Sequence, residues 1–207
     1  MKVLLESLNQ LAWEKQDGLL PTIVQDADSG ELLMQAYMNI EALKLTLKSG
    51  RVTFFSRSRQ KIWQKGEESG NILKLVDIAA DCDGDSLKVL ANPTGPVCHL
   101  GTDTCWDKSQ QPSLTFLTEL EDVIESRKDS SADTSYTARL FNRGTKYIAQ
   151  KVGEEAVETA LAAAAGDDKE LLNESADLIY HLLVLLQSKD LKLKDVATVL
   201  HERHHSP

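Results

Sequence analysis

The chain has 207 residues, 42% of them hydrophobic and 27% charged, and carries a net charge of −9. That length allows one large domain or two of about 100 residues, and either arrangement can bury a core. The acidic balance opposes broad adhesion to nucleic acid or an anionic membrane, and it is shared by both halves, with 12 basic to 15 acidic residues before Pro112 and 11 to 17 after it.

In chain order, residues 1–15 carry acidic and polar breaks too early for the apolar stretch of a signal peptide. Runs with strand character follow at 19–26, 31–38, 51–57, 71–81 and 86–92, punctuated by Gly, Asp, Asn and Ser. One amphipathic helix is expected near Asn39–Lys48, and a cysteine-bearing loop covers 93–106. The polar stretch 107–113 (DKSQQPS) reads as a linker. Beyond it the periodicity becomes helical, with Leu114, Leu117, Leu120 and Ile124 on one face. After a polar loop at 129–135, long helices are expected at about 137–165 and 168–188, divided at Gly166. Asp167 and Glu170 resemble a capping box opening the second. A short helix at about 193–203 closes the chain. The longest apolar run, 178–186, is far below the roughly 20 residues of a membrane span. The expectation is a cytoplasmic protein of two domains, a β-rich α+β domain at 1–112 and an all-α domain at 113–207.

The first domain holds all three cysteines, Cys82, Cys98 and Cys105. An odd count suits metal or redox chemistry better than a disulfide framework. In Asp81-Cys82-Asp83-Gly84-Asp85 three carboxylates alternate. If the segment is extended they share one face, roughly 6–7 Å apart, with Cys82 on the other. Such a triplet either holds a hard cation such as Mg²⁺ or is a solvated acidic turn. Cys98-His99 and Cys105 add thiolate and imidazole, the donors zinc prefers, and three protein ligands leave a fourth position for water. Upstream, Ser56-Arg57-Ser58-Arg59 and Trp63-Gln64-Lys65-Gly66-Glu67-Glu68-Ser69-Gly70 combine cations with glycines, as a phosphate site requires, although a charged hairpin is also ordinary surface.

Taken together, SRSR, W-x-K-G-x-x-S-G, D-C-D-x-D and the Cys98-His99/Cys105 set resemble phosphoribosyl-AMP cyclohydrolase over about 18–106. The resemblance implies an intertwined homodimer with its active sites at the subunit interface. It implies Mg²⁺ on Asp81, Asp83 and Asp85, and Zn²⁺ held by Cys82 of one subunit with Cys98 and Cys105 of the other. The implied reaction is hydrolysis of the purine N1–C6 bond by zinc-activated water. Arg57, Arg59, Lys65 and Ser69 are the substrate-binding candidates. His99 is the candidate for proton transfer, with orientation of a metal ligand as its alternative.

In the second domain, Glu155 and Glu158 are i,i+3 neighbours and Glu154 reaches Glu158 at i,i+4. Glu174 and Asp177 repeat the i,i+3 spacing in an otherwise apolar helix. Like charges so spaced destabilise an isolated helix, so two such pairs on consecutive helices point to a Mg²⁺ cradle rather than to two solvated faces. E-x-x-E, fifteen residues, then E-x-x-D resembles the all-α nucleoside-triphosphate pyrophosphohydrolases. The preceding SYTARLFNRGTKYIAQKVGEEAVE narrows this to phosphoribosyl-ATP pyrophosphohydrolase over about 114–186. That resemblance implies Mg²⁺ on Glu154, Glu155, Glu158, Glu174 and Asp177, with Glu155 in the catalytic role. Arg139, Arg143, Lys146 and Lys151 are candidate phosphate contacts or surface charges.

His201-Glu202-Arg203-His204-His205 matches the zinc-protease pattern H-E-x-x-H, but it lies two residues from the end of the chain and reads as a solvated tail. The whole reading is a bifunctional hydrolase of histidine biosynthesis acting on phosphoribosyl-ATP and phosphoribosyl-AMP. Its rivals are a house-cleaning nucleotide pyrophosphohydrolase with an inactive zinc-stabilised N-terminal domain, and a non-catalytic metal- or nucleotide-sensing module.

Overall fold

A computed structural model describes residues 2–106 and 112–205. The chain divides into two compact units, Met1–Thr115 and Phe116–Pro207. The linker expected at 107–113 falls mainly on 107–111, outside the described residues.

Unit 1 opens with two 3₁₀ turns, Leu8–Gln10 and Trp13–Gln16. Then come β1 (Leu20–Asp26), β2 (Leu32–Met38), α1 (Ile40–Ser49), β3 (Thr53–Ser56), β4 (Lys61–Gln64), β5 (Leu73–Ala80) and β6 (Leu87–Pro93). Four strands form one sheet in the order β2-β1-β6-β5, with β1 and β6 parallel and the other pairs antiparallel. In β1, buried Leu20, Thr22 and Val24 alternate with the less buried Pro21 and exposed Ile23, the period-2 signature of a half-covered sheet. The helix begins at Asn39, whose side chain accepts from the Ala42 N–H at 2.8 Å. It ends at Gly50, which adopts φ +67°. The buried Thr46 hydroxyl donates to the Ala42 carbonyl (2.9 Å) and accepts from Thr53 N–H (2.9 Å), tying the helix to β3 without an unsatisfied polar atom. Phe54, Leu20, Met38, Leu43, Leu73 and Leu87 fill the core. β3 and β4 form a separate hairpin. Only its first strand was expected, because Lys61 and Gln64 give the second a polar outline.

Unit 2 contains α2 (Thr115–Ser126, whose first residue belongs to unit 1), α3 (Tyr136–Arg143), α4 (Thr145–Ala165), α5 (Asp168–Gln187) and α6 (Leu193–His205). The single helix expected at 137–165 is two. Gly144 sits between them at φ +83°, ψ 165°, a conformation open essentially to glycine alone, and there the helical ladder stops. The break expected at Gly166 is present: glycine at φ +74° closes α4, and Asp167 caps α5 by accepting from Glu170 N–H at 3.0 Å. Antiparallel α4 and α5 form the central hairpin, and Ile124, Leu140, Ile148, Leu183 and Val184 make the core. The face expected on α2 includes buried Ile124 and partly buried Leu120, but Leu114 precedes the helix and is exposed. The α2 carboxylate Glu121 caps the start of α6 by accepting from Leu193 N–H at 2.7 Å. No helix among the described residues is long and apolar enough to cross a membrane.

Candidate active sites

In unit 1 a cleft of about 590 Å³ opens between the β3–β4 hairpin, the 65–71 loop and the loop after β6. Arg59, Lys61, Trp63, Lys65, Ser69, Cys98 and His99 line it. Gly66 shapes the middle loop: it adopts φ +85°, and a Cβ there would collide with the Asn71 carbonyl. Asn71 in turn donates to the Pro96 carbonyl at 3.1 Å, joining this loop to the one that leads into Cys98. Asn71 was not singled out from the sequence, where one Asn beside a glycine reads only as a turn.

The cysteine loop is anchored at both ends. Cys98 N–H donates to the Thr102 carbonyl at 2.9 Å, and Cys105 N–H to the Leu33 carbonyl of β2 at 2.9 Å. The Thr104 hydroxyl donates to the Leu32 carbonyl at 2.7 Å. These bonds bring the Cys98 and Cys105 thiols close enough to shift one another's ionisation. Hydrogen bonding from the Leu100 backbone, then from Thr102, pulls the Cys98 thiol below its ordinary pKa. Desolvation and then the neighbouring Cys98 sulfur push the Cys105 thiol up. Burial lowers the Lys65 ammonium against the opposing pull of the two sulfurs. His99 Nδ1 lies 3.9 Å from Cys98 Sγ. Arg57 does not line the cleft, and its guanidinium stacks on the Tyr37 ring at 3.9 Å. Among the described residues of one chain, no third ligand-type atom joins Cys98 and Cys105 to complete a metal group, and Cys82 lies exposed on the aspartate loop.

That loop, 81–85, is a bend rather than the extended segment considered from the sequence, so the one-face spacing does not apply. Gly84 turns it at φ +76°, and the Asp81 carboxylate accepts from the N–H groups of Asp85 (3.0 Å) and Ser86 (3.2 Å). The bend nevertheless gathers ligand oxygens of Asp81, Asp83 and Asp85 within 4.8 Å of one another. The N-terminal segment is pinned to it by Ala12 N–H donating to the Gly84 carbonyl at 2.8 Å. Lys15 then reaches Asp83 Oδ2 at 2.6 Å, an ion pair that no local sequence signal announces.

In unit 2, α4 and α5 bring Glu155, Glu158 and Glu174 together, again with ligand oxygens within 4.8 Å. Glu155 is buried. Its carboxyl is held below the ordinary range by Lys151, whose Nζ lies 2.7 Å from Oε1. Desolvation first, then Glu158 and other acidic neighbours, raise Glu174, as expected for crowded carboxylates. Glu154 accepts from Lys151 at 2.9 Å and from Gln150 at 2.8 Å, and neither it nor Asp177 belongs to the three-carboxylate group. Of the four cations, Lys151 is thus committed to carboxylates. Arg139 lies over the Tyr136 ring at 5.6 Å and Arg143 over Tyr147 at 4.4 Å, while Lys146 is exposed. The histidines of α6 are exposed, in keeping with a solvated tail.

Carboxylate triplets suit hard oxygen-seeking cations, and the thiol–imidazole set suits zinc. A chain so equipped, with Arg59, Lys61 and Lys65 lining a cleft in one unit and an acidic helical hairpin in the other, has the donor sets of a metal-dependent hydrolase of anionic substrates. Residues 34–107 match the family model of phosphoribosyl-AMP cyclohydrolase, and residues 117–204 match that of phosphoribosyl-ATP pyrophosphohydrolase. The chain is 57% identical over 198 residues to the histidine biosynthesis bifunctional protein HisIE of Photobacterium profundum, covering 93% of this chain and 96% of that protein. It is 59% identical over 195 residues to the protein of the same name in Shigella flexneri, with 94% and 96% covered. The chain belongs to the bifunctional HisIE family of histidine biosynthesis and carries phosphoribosyl-AMP cyclohydrolase and phosphoribosyl-ATP pyrophosphohydrolase activities.

Proposed function

We propose that residues 113–207 hydrolyse phosphoribosyl-ATP to phosphoribosyl-AMP and pyrophosphate, and that residues 1–112 then open the adenine ring of phosphoribosyl-AMP at N1–C6. The order of the chain is the reverse of the order of the reactions. The observation that carries this reading is the separation of donor chemistry: soft thiols beside a basic cleft in one unit, hard carboxylates on a helical hairpin in the other.

Glu155, Glu158 and Glu174 would hold Mg²⁺ in the helical unit, with Glu154 and Asp177 completing the acidic surround. Asp81, Asp83 and Asp85 would hold Mg²⁺ in the first unit. Cys98 and Cys105 with Cys82 of the partner subunit would hold Zn²⁺, which makes the working molecule an intertwined homodimer. Bound there, zinc supplies a water of lowered pKa for attack at C6, and magnesium offsets the charge of the triphosphate.

The chain's own groups supply the rest. Arg59, Lys65 and Ser69 face the cleft and bind the phosphoribosyl end, with Arg57 behind them on Tyr37. His99, beside Cys98, takes or returns a proton at the ring being opened. Glu155 is kept ionised by Lys151, so its carboxylate is ready to hold a cation and to orient the attacking water. Arg139, Arg143 and Lys146 form the cationic approach for the triphosphate. Reduced cysteines in this arrangement suit the cytoplasm.

The test follows the two steps separately. Cys98→Ala should abolish ring opening and spare pyrophosphate release, whereas Glu155→Ala should do the reverse. Retention of its own step by either variant would remove that site assignment.

A further inference from the structure

We propose that His181 is a positioning residue for pyrophosphate release, orienting Glu155 and itself held in place by Tyr136; the inference rests on the reading of Glu155 as a metal ligand. His181 interrupts the apolar run of α5 next to Leu183 and Val184 and is only 4% exposed. A buried imidazole needs partners for both nitrogens, and the structure supplies them. Nδ1 lies 2.9 Å from the Asp177 carbonyl oxygen, which can only accept, so Nδ1 carries the hydrogen. Nε2 lies 3.1 Å from the Tyr136 hydroxyl, which supplies its hydrogen-bond partner. The ring meets Tyr180 edge-on at 5.2 Å and Tyr136 edge-on at 6.2 Å, and the Tyr180 hydroxyl is itself hydrogen-bonded to Thr137 at 2.9 Å. The Nδ1 hydrogen and the ring plane are therefore both fixed.

This fixed N–H edge faces the metal cradle. Nδ1 lies 3.7 Å from Glu155 Oε1, too far for a hydrogen bond but close enough for electrostatic attraction between two buried groups. The same oxygen receives the Lys151 ammonium at 2.7 Å. Oε1 is thereby held by the Lys151 ammonium with the imidazole edge packed beside it, which limits rotation of a carboxylate that must meet Glu158 and Glu174. Through the Tyr136 hydroxyl the imidazole also ties α5 to α3, while its approach to Glu155 sets it against α4, at the level of the acidic cluster. A histidine that merely filled the core would need partners for its nitrogens but not the approach of Nδ1 to Glu155.

The test uses the full chain and Mn²⁺ as the metal probe. The binding increment lost in Glu155→Gln, read by electron paramagnetic resonance, defines this site; if that substitution removes no Mn²⁺, the metal reading of Glu155 fails, and the positioning role with it. With the increment in hand, His181→Leu should weaken it about tenfold, the low end of what outer partners contribute to a metal ligand. The Mg²⁺ needed for half-maximal pyrophosphate release should rise in parallel, with the KM for phosphoribosyl-ATP at saturating Mg²⁺ changing less than about twofold. Where His181→Leu is too unstable to assay, His181→Asn, which keeps an N–H near the Nδ1 position, should retain most of the affinity. Tyr136→Phe, which keeps the ring and loses the donor, should weaken binding about threefold. Mn²⁺ affinity unchanged in His181→Leu, or in Tyr136→Phe where His181→Leu is unstable, would overturn the proposal.

Discussion

The ammonium of Lys15 lies 2.6 Å from Asp83 Oδ2 and 3.6 Å from Asp85 Oδ2, inside an aspartate triplet whose third member is Asp81. A lysine in that position neutralises part of the repulsion among three carboxylates, and a divalent ion entering the cluster must displace it. Hydrogen bonding to Asp83 raises Lys15, and the same bond lowers Asp83, as a true pair requires. Because both groups are solvent-exposed, the pairing is weak and easily exchanged. Lys15→Ala should therefore tighten Mn²⁺ binding at the site defined by Asp83→Asn by about threefold. Weaker binding in Lys15→Ala would mean that the lysine helps to assemble the site rather than competing with its ion.

Acid sensitivity of the helical unit should trace to Glu155. Its folded-state pKa is depressed, first by the hydrogen bond from Lys151. The stability contributed by the ionised form is therefore complete above the unfolded-state value and is lost as pH falls through the lower folded-state value. In chelator, thermal melts between about pH 7 and about pH 3 should show the helical signal of the wild type losing stability on the acid side. Glu155→Gln should flatten that slope, because an amide has no proton to gain. An unchanged slope would assign the acid transition to other carboxylates.

Much of this arrangement is legible in the sequence where the chemistry is local. The alternation Leu20, Thr22, Val24 marks a half-buried strand, and Asp167 with Glu170 marks a helix start, because neighbours in sequence supply the partners. The break at Gly144 is hidden in the sequence because Arg143, Thr145 and Lys146 continue a helical outline, and a single glycine is tolerated inside one. The Lys15–Asp83 pair joins residues 68 apart, so only the folded chain reveals it. His181 is masked by the apolar run around it, and its role emerges only when α4 and α3 supply Glu155 and Tyr136. For Cys82, composition pointed to a metal, but the described residues of a single chain bring it no zinc-type partners.

Two glycines of the helical unit should respond to alanine with opposite signs. Gly144 holds φ +83°, ψ 165°, and although nothing crowds its position, an L side chain there is strained by its own backbone. Gly144→Ala should cost about 1–3 kcal/mol of unfolding free energy. Gly153 lies within α4, with no positive φ and no atom within 4 Å of an added Cβ. There alanine should stabilise by about 0.5–1 kcal/mol through the lower entropy of the unfolded chain and better helix propensity. Denaturant unfolding followed by far-ultraviolet circular dichroism reports on this unit, since helices dominate the signal. Stabilisation by Gly144→Ala would mean that α3 and α4 can merge into one helix at little cost.

The distribution of the thiols makes the sharpest demand on quaternary structure. Cys98 and Cys105 are close enough to shift one another's thiols, whereas Cys82 sits exposed on the bent aspartate loop and completes no metal group among the described residues. If Cys82 completes the partner's set, Cys82→Ala and Cys98→Ala should each abolish ring opening alone and complement one another when mixed. In a symmetric dimer formed from the two variants, one site receives both defects and the other receives neither. Random exchange at equal concentrations makes about half of the dimers mixed, each with one intact site of two, so ring opening should recover to about one quarter of the wild-type rate. Pyrophosphate release should remain at the wild-type level throughout and serve as the internal standard. A mixture that exchanges subunits, shown by mass spectrometry of differently labelled chains, yet recovers no ring opening would place all three cysteines at one site within a single chain.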